Sequence, residues 1–318
     1  MVMPFYPSRS LASRKQAMDE MFKDSVRAGN RWAAEVIPLL DRPRAKEVAL
    51  LFPAEMSLYE PLEVDTEGRH RMDLLGWYQQ FTDLGWHVDI VHPDQVAAGA
   101  LAEYKHLVVP TNSLYDLGDN AALEAAVKKF VAASGTVFHG PHCELARRAL
   151  GIEEETIPFD CIQWREEIIP HGWSTVSFNG GKALGTYIQS GKTAIAQTEF
   201  CKGKVFSYGF QYGYAYCRRT MPIVPPQYGK REMHPVVLLK ETPVAALVGA
   251  SPLLPVKPVK GVEFARFGNR LVIVNHRSSP LDISSLAAKR TLPQVPSAPG
   301  WLAAHSAVFL ELEQVGRD

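Results

Sequence analysis

Lys46-Glu-Val-Ala-Leu-Leu-Phe-Pro53 opens the part of the sequence that decides the fold. Its apolar run has no polar alternation, the pattern of a strand buried on both faces of a parallel sheet, and Pro53 stops it. Met72, Leu75, Trp77, Tyr78, Phe81 and Leu84 then recur at helical spacing up to Gly85, a C-terminal stop, and predict an amphipathic crossover helix. Trp86-His-Val-Asp-Ile-Val91, His106-Leu-Val-Val-Pro110 and Gly135-Thr-Val-Phe-His139 read as the second, third and fourth strands. A helix from about Asp119 to Ala133 separates the last two, with Leu123, Val127 and Phe130 on one face and Asp119 near its positive end. Strands alternating with helices predict right-handed crossovers and a doubly wound sheet.

Between Gly151 and Gly209 the pattern changes to short β-rich runs: Ile157 to Ile169, Trp173 to Phe178, Ala183 to Ile188, Ala194 to Phe200 and Val205 to Tyr208. They read as a β-extension of the sheet domain. The stretch from Gln211 to Pro235 is rich in proline and tyrosine and predicts a long loop. Its Tyr212, Tyr214, Tyr216 and Arg218 suit interface anchors or sugar stacking, or else packing on their own domain. After Pro243, the runs Val244 to Val248, Val262 to Phe267, Asn269 to Asn275 and Ala307 to Leu312 predict strands of a small antiparallel β-sandwich, behind a linker at Pro252 to Pro258.

From Leu11 to Leu40 the sequence is helix-compatible, and Met18, Met21, Phe22, Val26, Trp32, Val36 and Leu39 make an apolar stripe interrupted near Gly29. That stripe packs on its own sheet, pairs with another subunit, or marks where a longer chain has been cut.

Lysine plus arginine and aspartate plus glutamate number 34 each, so no global field draws the chain to nucleic acid or an acidic membrane. No apolar run approaches the roughly 18 residues of a membrane span, and Met1 to Leu11 has no signal-peptide core, which predicts a cytoplasmic protein. Cys143, Cys161, Cys201 and Cys217 are widely separated and signal neither a zinc knuckle nor a disulfide framework. No cofactor is expected.

Val48-Ala-Leu-Leu-Phe52, Gly85-Trp-His-Val-Asp-Ile-Val-His-Pro93, Tyr104-Lys-His-Leu-Val-Val-Pro110 and Phe130-Val-Ala-Ala-Ser-Gly-Thr-Val137 together resemble the trimerisation domain of family 42 glycoside hydrolases, the β-galactosidases. Gly203-Lys-Val-Phe-Ser-Tyr-Gly209 is similar to the closing strand of that domain, and Val262 to Leu312 to the small β-domain that ends those enzymes. The resemblance implies an α/β fold: a flavodoxin-like parallel sheet of class I glutamine amidotransferase type with a β-rich extension, then the small β-domain. The implied segments are 1–45, N-terminal and helical; 46–242, the trimerisation domain; and 243–318, the β-domain. In that family the catalytic glutamates sit on an N-terminal TIM barrel of roughly 250 residues. Only about 45 residues precede the first strand here, so no such barrel is expected in this sequence.

In open α/β folds ligands bind beyond the carboxyl ends of the strands. The candidates there are Glu55, Tyr59 and Glu60 after the first strand, Thr111 and Asn112 after the third, and His139, His142 and Cys143 after the fourth. Class I amidotransferases place a nucleophilic cysteine after the equivalent strand, in a G-x-C-x-G elbow. Gly140-Pro-His-Cys-Glu144 departs from that elbow by placing a proline in the turn, and no partner histidine and glutamate are recognisable downstream. Paired glycosidase carboxylates about 5 to 9.5 Å apart are not recognisable either, since adjacent acids such as Glu166 and Glu167 point to opposite sides of a strand. His139, His142 and Cys143 give three donors within one turn, short of a structural zinc site.

Two readings follow. One is a non-catalytic assembly module that forms a homotrimer and helps shape a carbohydrate site on a separate barrel. The other is a small-molecule enzyme of amidotransferase-like fold centred on Cys143.

Overall fold

The computed structural model describes residues 12–52, 69–110, 120–158, 160–169, 176–217, 236, 239–286, 288–291 and 300–312. The chain divides into two compact units, Lys46–Phe264 and Met1–Ala45 with Ala265–Asp318.

Helix α1 (Ala12–Val36) runs into a 3-10 turn at Ile37–Leu40, where Pro38 removes a backbone donor. Val36 is buried, whereas Phe22 and Ile37 remain 41% and 64% exposed. The side chains of Met18, Met21, Trp32 and Leu39 lie outside the described set.

The sheet unit begins with β1 (Val48–Leu51), followed by α2 (Arg69–Asp83), β2 (Val88–Val91), α3 (Pro93–Ala97), β3 (His106–Val109), α4 (Ala121–Ala132), β4 (Thr136–His139) and α5 (Glu144–Leu150). The four strands are parallel in the order β2-β1-β3-β4. All four residues of β1 and of β3 are buried, as their unbroken apolar runs require. Alternate side chains feed two cores. Val48, Leu50, Val108 and Phe138 join Trp77 and Phe81 of α2 on one face, while Ala49, Leu51, Leu107 and Val137 join Leu123 and Val127 of α4 on the other. Asn120 starts α4 by accepting the Leu123 N–H at 2.9 Å.

The β-rich segment supplies β5 (Glu154–Thr156), β6 (Ile162–Trp164), β7 (Glu167–Ile169), β8 (Val176–Phe178), β9 (Lys182–Tyr187), β10 (Thr193–Phe200) and β11 (Gly203–Tyr208). β11 lies parallel beside β4, and β10, β9, β6 and β7 continue antiparallel, so one mixed sheet of nine strands results. β5 and β8 form a separate antiparallel pair.

The expected loop after Gln211 begins instead as helix α6 (Tyr212–Cys217), and Tyr212, Tyr214 and Tyr216 are buried. Of the readings the sequence offers for these three, packing on their own domain is the one that their buried positions match. The Tyr212 hydroxyl donates to Gln80 at 2.6 Å, the Tyr214 N–H to Asp73 at 2.9 Å and the Tyr216 hydroxyl to Asp83 at 2.7 Å, all on α2. The two helices touch backbone to backbone at Gly76 and Gly213, where a Cβ on Gly76 would lie 1.7 Å from the Gly213 carbonyl oxygen. Arg218 and the rest of the stretch to Pro235 lie outside the described residues.

The run Val244 to Val248, expected as a strand, is helix α7 (Pro243–Val248). Thr242 caps it, accepting the Ala245 N–H at 3.2 Å, and Pro243 has the first-turn position it favours. Val244 belongs to the core of the sheet unit.

Downstream lie β12 (Val262–Phe267), β13 (Arg270–Asn275), β14 (Leu281–Asp282), β15 (Ala288–Thr291), β16 (Trp301–Leu302) and β17 (Ser306–Leu312). They form a four-stranded sheet in the order β12-β13-β17-β15 and an antiparallel pair, β14 with β16. In this unit Arg270 pairs with Asp41 at 2.6 Å, Ala45 N–H donates to the Arg266 carbonyl, and Arg42 bonds Asn269. The segment after α1 is thereby tied to the C-terminal sheet.

Candidate functional site

The turn after β4 is the described part of the strand-end region where the sequence places its candidates. Gly140 and Pro141 lead into His142, whose φ of +56° is in the left-handed region, and Cys143 stands just before α5. Histidine tolerates that region better than most side chains, though it remains uncommon outside glycine. A tight, positive-φ turn from strand to helix is the geometry of a nucleophile elbow. The residue at its apex is His142, not Cys143.

Glu154 from β5 occupies the turn. Its carboxylate accepts the His142 N–H at 2.7 Å and the Cys143 N–H at 3.3 Å. Burial raises the Glu154 pKa against the lowering effect of those two amides. An oxyanion would need such amides free, and here the chain's own carboxylate holds them.

Cys143 is buried, and burial pushes its thiol up to about 12 against backbone hydrogen bonds from the start of α5. A thiol so shifted does not present Cys143 as a thiolate nucleophile at neutral pH. Iodoacetamide at pH 8 should accordingly label the exposed Cys201 well ahead of Cys143. Peptide mapping that found Cys143 labelled first would refute this assignment.

His139 is fully buried. Its Nδ1 lies 2.8 Å from the Gly140 carbonyl, so that nitrogen carries the proton, and Nε2 accepts the Ser207 hydroxyl at 2.7 Å. Burial holds its pKa at about 4, although the carbonyl favours the protonated ring. Ser207 and His139 have the spacing of a nucleophile and its base. Both are sealed from solvent, and the orienting group is a carbonyl rather than a carboxylate. Ser207 was missed by reading along the chain, because only the pairing of β11 with β4 sets it opposite His139.

A second polar cluster, unforeseen in the sequence, lies at the opposite ends of the strands. Glu47 Oε2 accepts His87 Nδ1 at 2.7 Å and Ser251 Oγ at 2.7 Å, and Lys105 Nζ stands 3.4 Å from Oε1. Burial works to raise the Glu47 pKa, but hydrogen bonds from His87 and Ser251 outweigh it and the net shift is downward. The carboxylate is the hub of this cluster, so serine and histidine do not relay a proton to each other. It ties the starts of β1 and β2 to the Ser251 segment.

Glu55, Tyr59, Glu60 and Asn112 lie outside the described residues. Among the described residues no group of three or more His, Cys, Asp or Glu side chains is placed to hold a metal ion, and no helix is long and apolar enough to cross a membrane.

Fold and turn together define a mixed α/β sheet protein with an elbow-like turn whose amides are occupied and whose cysteine is buried. No protein-family model and no curated protein matches the chain. Solved structures do. A β-galactosidase from Bacillus circulans sp. alkalophilus shares 15% identity at a TM-score of 0.59, with 87% of this chain and 42% of that one covered. A family 42 β-galactosidase from G. stearothermophilus shares 16% identity at a TM-score of 0.57, with 85% and 40% covered. An α-L-fucosidase isoenzyme 2 from Paenibacillus thiaminolyticus shares 14% at 0.53, with 89% and 51% covered. The likeness to glycoside hydrolases, family 42 β-galactosidases among them, is one of fold, and this chain spans about two fifths of the length of the β-galactosidases.

Proposed function

We propose that this chain is a glycoside-hydrolase-related accessory module that assembles subunits and does not itself cleave glycosidic bonds. The observation that carries the reading is the turn after β4, where Glu154 fills the amide pair and Cys143 is buried with its thiol pushed up to about 12. The alternative, a small-molecule enzyme centred on Cys143, would need that thiol exposed and ionisable.

The strand order β2-β1-β3-β4-β11 supports the finer description of the parallel half as flavodoxin-like and similar to class I glutamine amidotransferases. The fold likeness to β-galactosidases supports self-association as the module's role, with a homotrimer as the assembly and a carbohydrate-cleaving barrel as the partner it serves.

A chromogenic β-galactoside and a chromogenic α-L-fucoside, each incubated with the purified chain, should release no more chromophore than buffer. Turnover that survives further purification and scales with protein concentration would overturn the non-catalytic reading.

A further inference from the structure

We propose that a cavity at the N-terminal ends of β3 and β4 binds a small molecule with an apolar body and one negative charge, of the class of a medium-chain or aryl carboxylate. The cavity measures about 670 Å³, within the roughly 300–1,000 Å³ typical of small-molecule sites. It lies between α4 and the 3-10 turn Ala100–Glu103, on the opposite end of the sheet from the strand-end turn described above.

Its size follows from the residues around it. Gly99, Ala102, Ala126, Ala133 and Gly135 all stand in the wall and carry little or no side chain. Phe130 is laid against Gly135, since a Cβ there would come within 2.5 Å of its ring. A Cβ on Gly99 would meet nothing within 4 Å. Tyr104 and the accessible edges of Leu101 and Phe130 supply apolar surface for a hydrocarbon or aryl body, backed by the buried Val96.

The charge of the ligand follows from the sign of the wall. Among the described residues of the wall, Lys105 and Lys129 carry the charge and none is a carboxylate. Lys105 is partly committed, 3.4 Å from Glu47 and 5.8 Å from the centre of the Trp86 ring. Lys129, on the last turn of α4, is the cation left to meet an anion. His106 also lines the cavity but is not assigned to the ligand, because its ring packs on Trp86, Phe138 and Phe81 at 4.7, 5.9 and 6.2 Å between centroids.

Octanoate and its neutral counterpart octanol are the probes, titrated into the full chain and read by displacement of 1-anilinonaphthalene-8-sulfonate fluorescence. Octanoate should displace the dye at about three-fold lower concentration than octanol, the effect of one exposed charge pair. Lys129→Glu should remove that advantage and leave octanol unchanged, and Ala126→Trp, which fills the cavity, should abolish displacement by both. Equal potency of the two probes, no displacement by either, or full displacement in Ala126→Trp would overturn the proposal. Should Ala126→Trp fail to fold, Lys129→Glu alone decides, because it alters an exposed side chain.

Discussion

Gly76→Ala is expected to cost about 3 kcal/mol or more of stability, at the upper end of what overpacking produces. The added methyl would sit 1.7 Å from the Gly213 carbonyl oxygen and 2.4 Å from its carbon, and backbone cannot swing aside as a side-chain tip does. Gly213→Ala meets the same obstacle from the other side, with its Cβ 2.0 Å from the Asp73 carbonyl oxygen. To relieve either clash α6 must leave α2, breaking the bonds of Tyr212 to Gln80 and of Tyr216 to Asp83. Against a net stability of about 5–15 kcal/mol typical of a domain, either change is severe. Gly29→Ala in α1 is the control. Nothing lies within 4 Å of a Cβ there, so helix propensity alone should stabilise by up to about 1 kcal/mol. Urea midpoints decide: if Gly76→Ala also stabilises, the helices do not meet as described.

A steep loss of stability between pH 6.5 and about 4 is the second large effect. His106 and His139 are both buried, and burial holds each pKa at about 4 against an ordinary 6.5. Across that window the unfolded chain takes up a proton at each ring that the folded chain refuses, so falling pH draws unfolding forward. Each ring accounts for on the order of 3 kcal/mol, fully lost by about pH 4. His142, also lowered by burial, acts in the same sense, and Glu154, raised by burial, acts in the opposite one. Glu47 extends the loss further, because a carboxylate with a lowered pKa contributes stability above 4.5 that disappears as pH falls through its folded value. His106→Phe should flatten part of the slope. It should also raise stability at pH 5, since neither nitrogen of His106 has a hydrogen-bond partner to lose. A midpoint that is independent of pH from 7 to 4 would contradict the burial of both rings.

The parallel half of the sheet was legible because its strands are short unbroken apolar runs and its helices carry a regular apolar face. β1, β3, α2 and α4 fall close to their expected positions. Helix α6 was not legible: proline and tyrosine nearby outweighed a six-residue helix whose reason for existing is a glycine contact with α2, far away in sequence. Val244 to Val248 is apolar enough for a strand, and the signal in the sequence that marks α7 as a helix is the cap at Thr242 with Pro243. The turn after β4 was legible as a location and as a departure from a catalytic elbow. Its occupation by Glu154 was not, because that contact depends on where β5 returns. The Glu47 cluster escaped for a similar reason, its members being scattered from Glu47 to Ser251.

Light scattering on the purified chain tests the proposed assembly role most directly. The account predicts a mass of three copies of the 35.3 kDa chain, stable on dilution into the low micromolar range. A monomer throughout that range would contradict it.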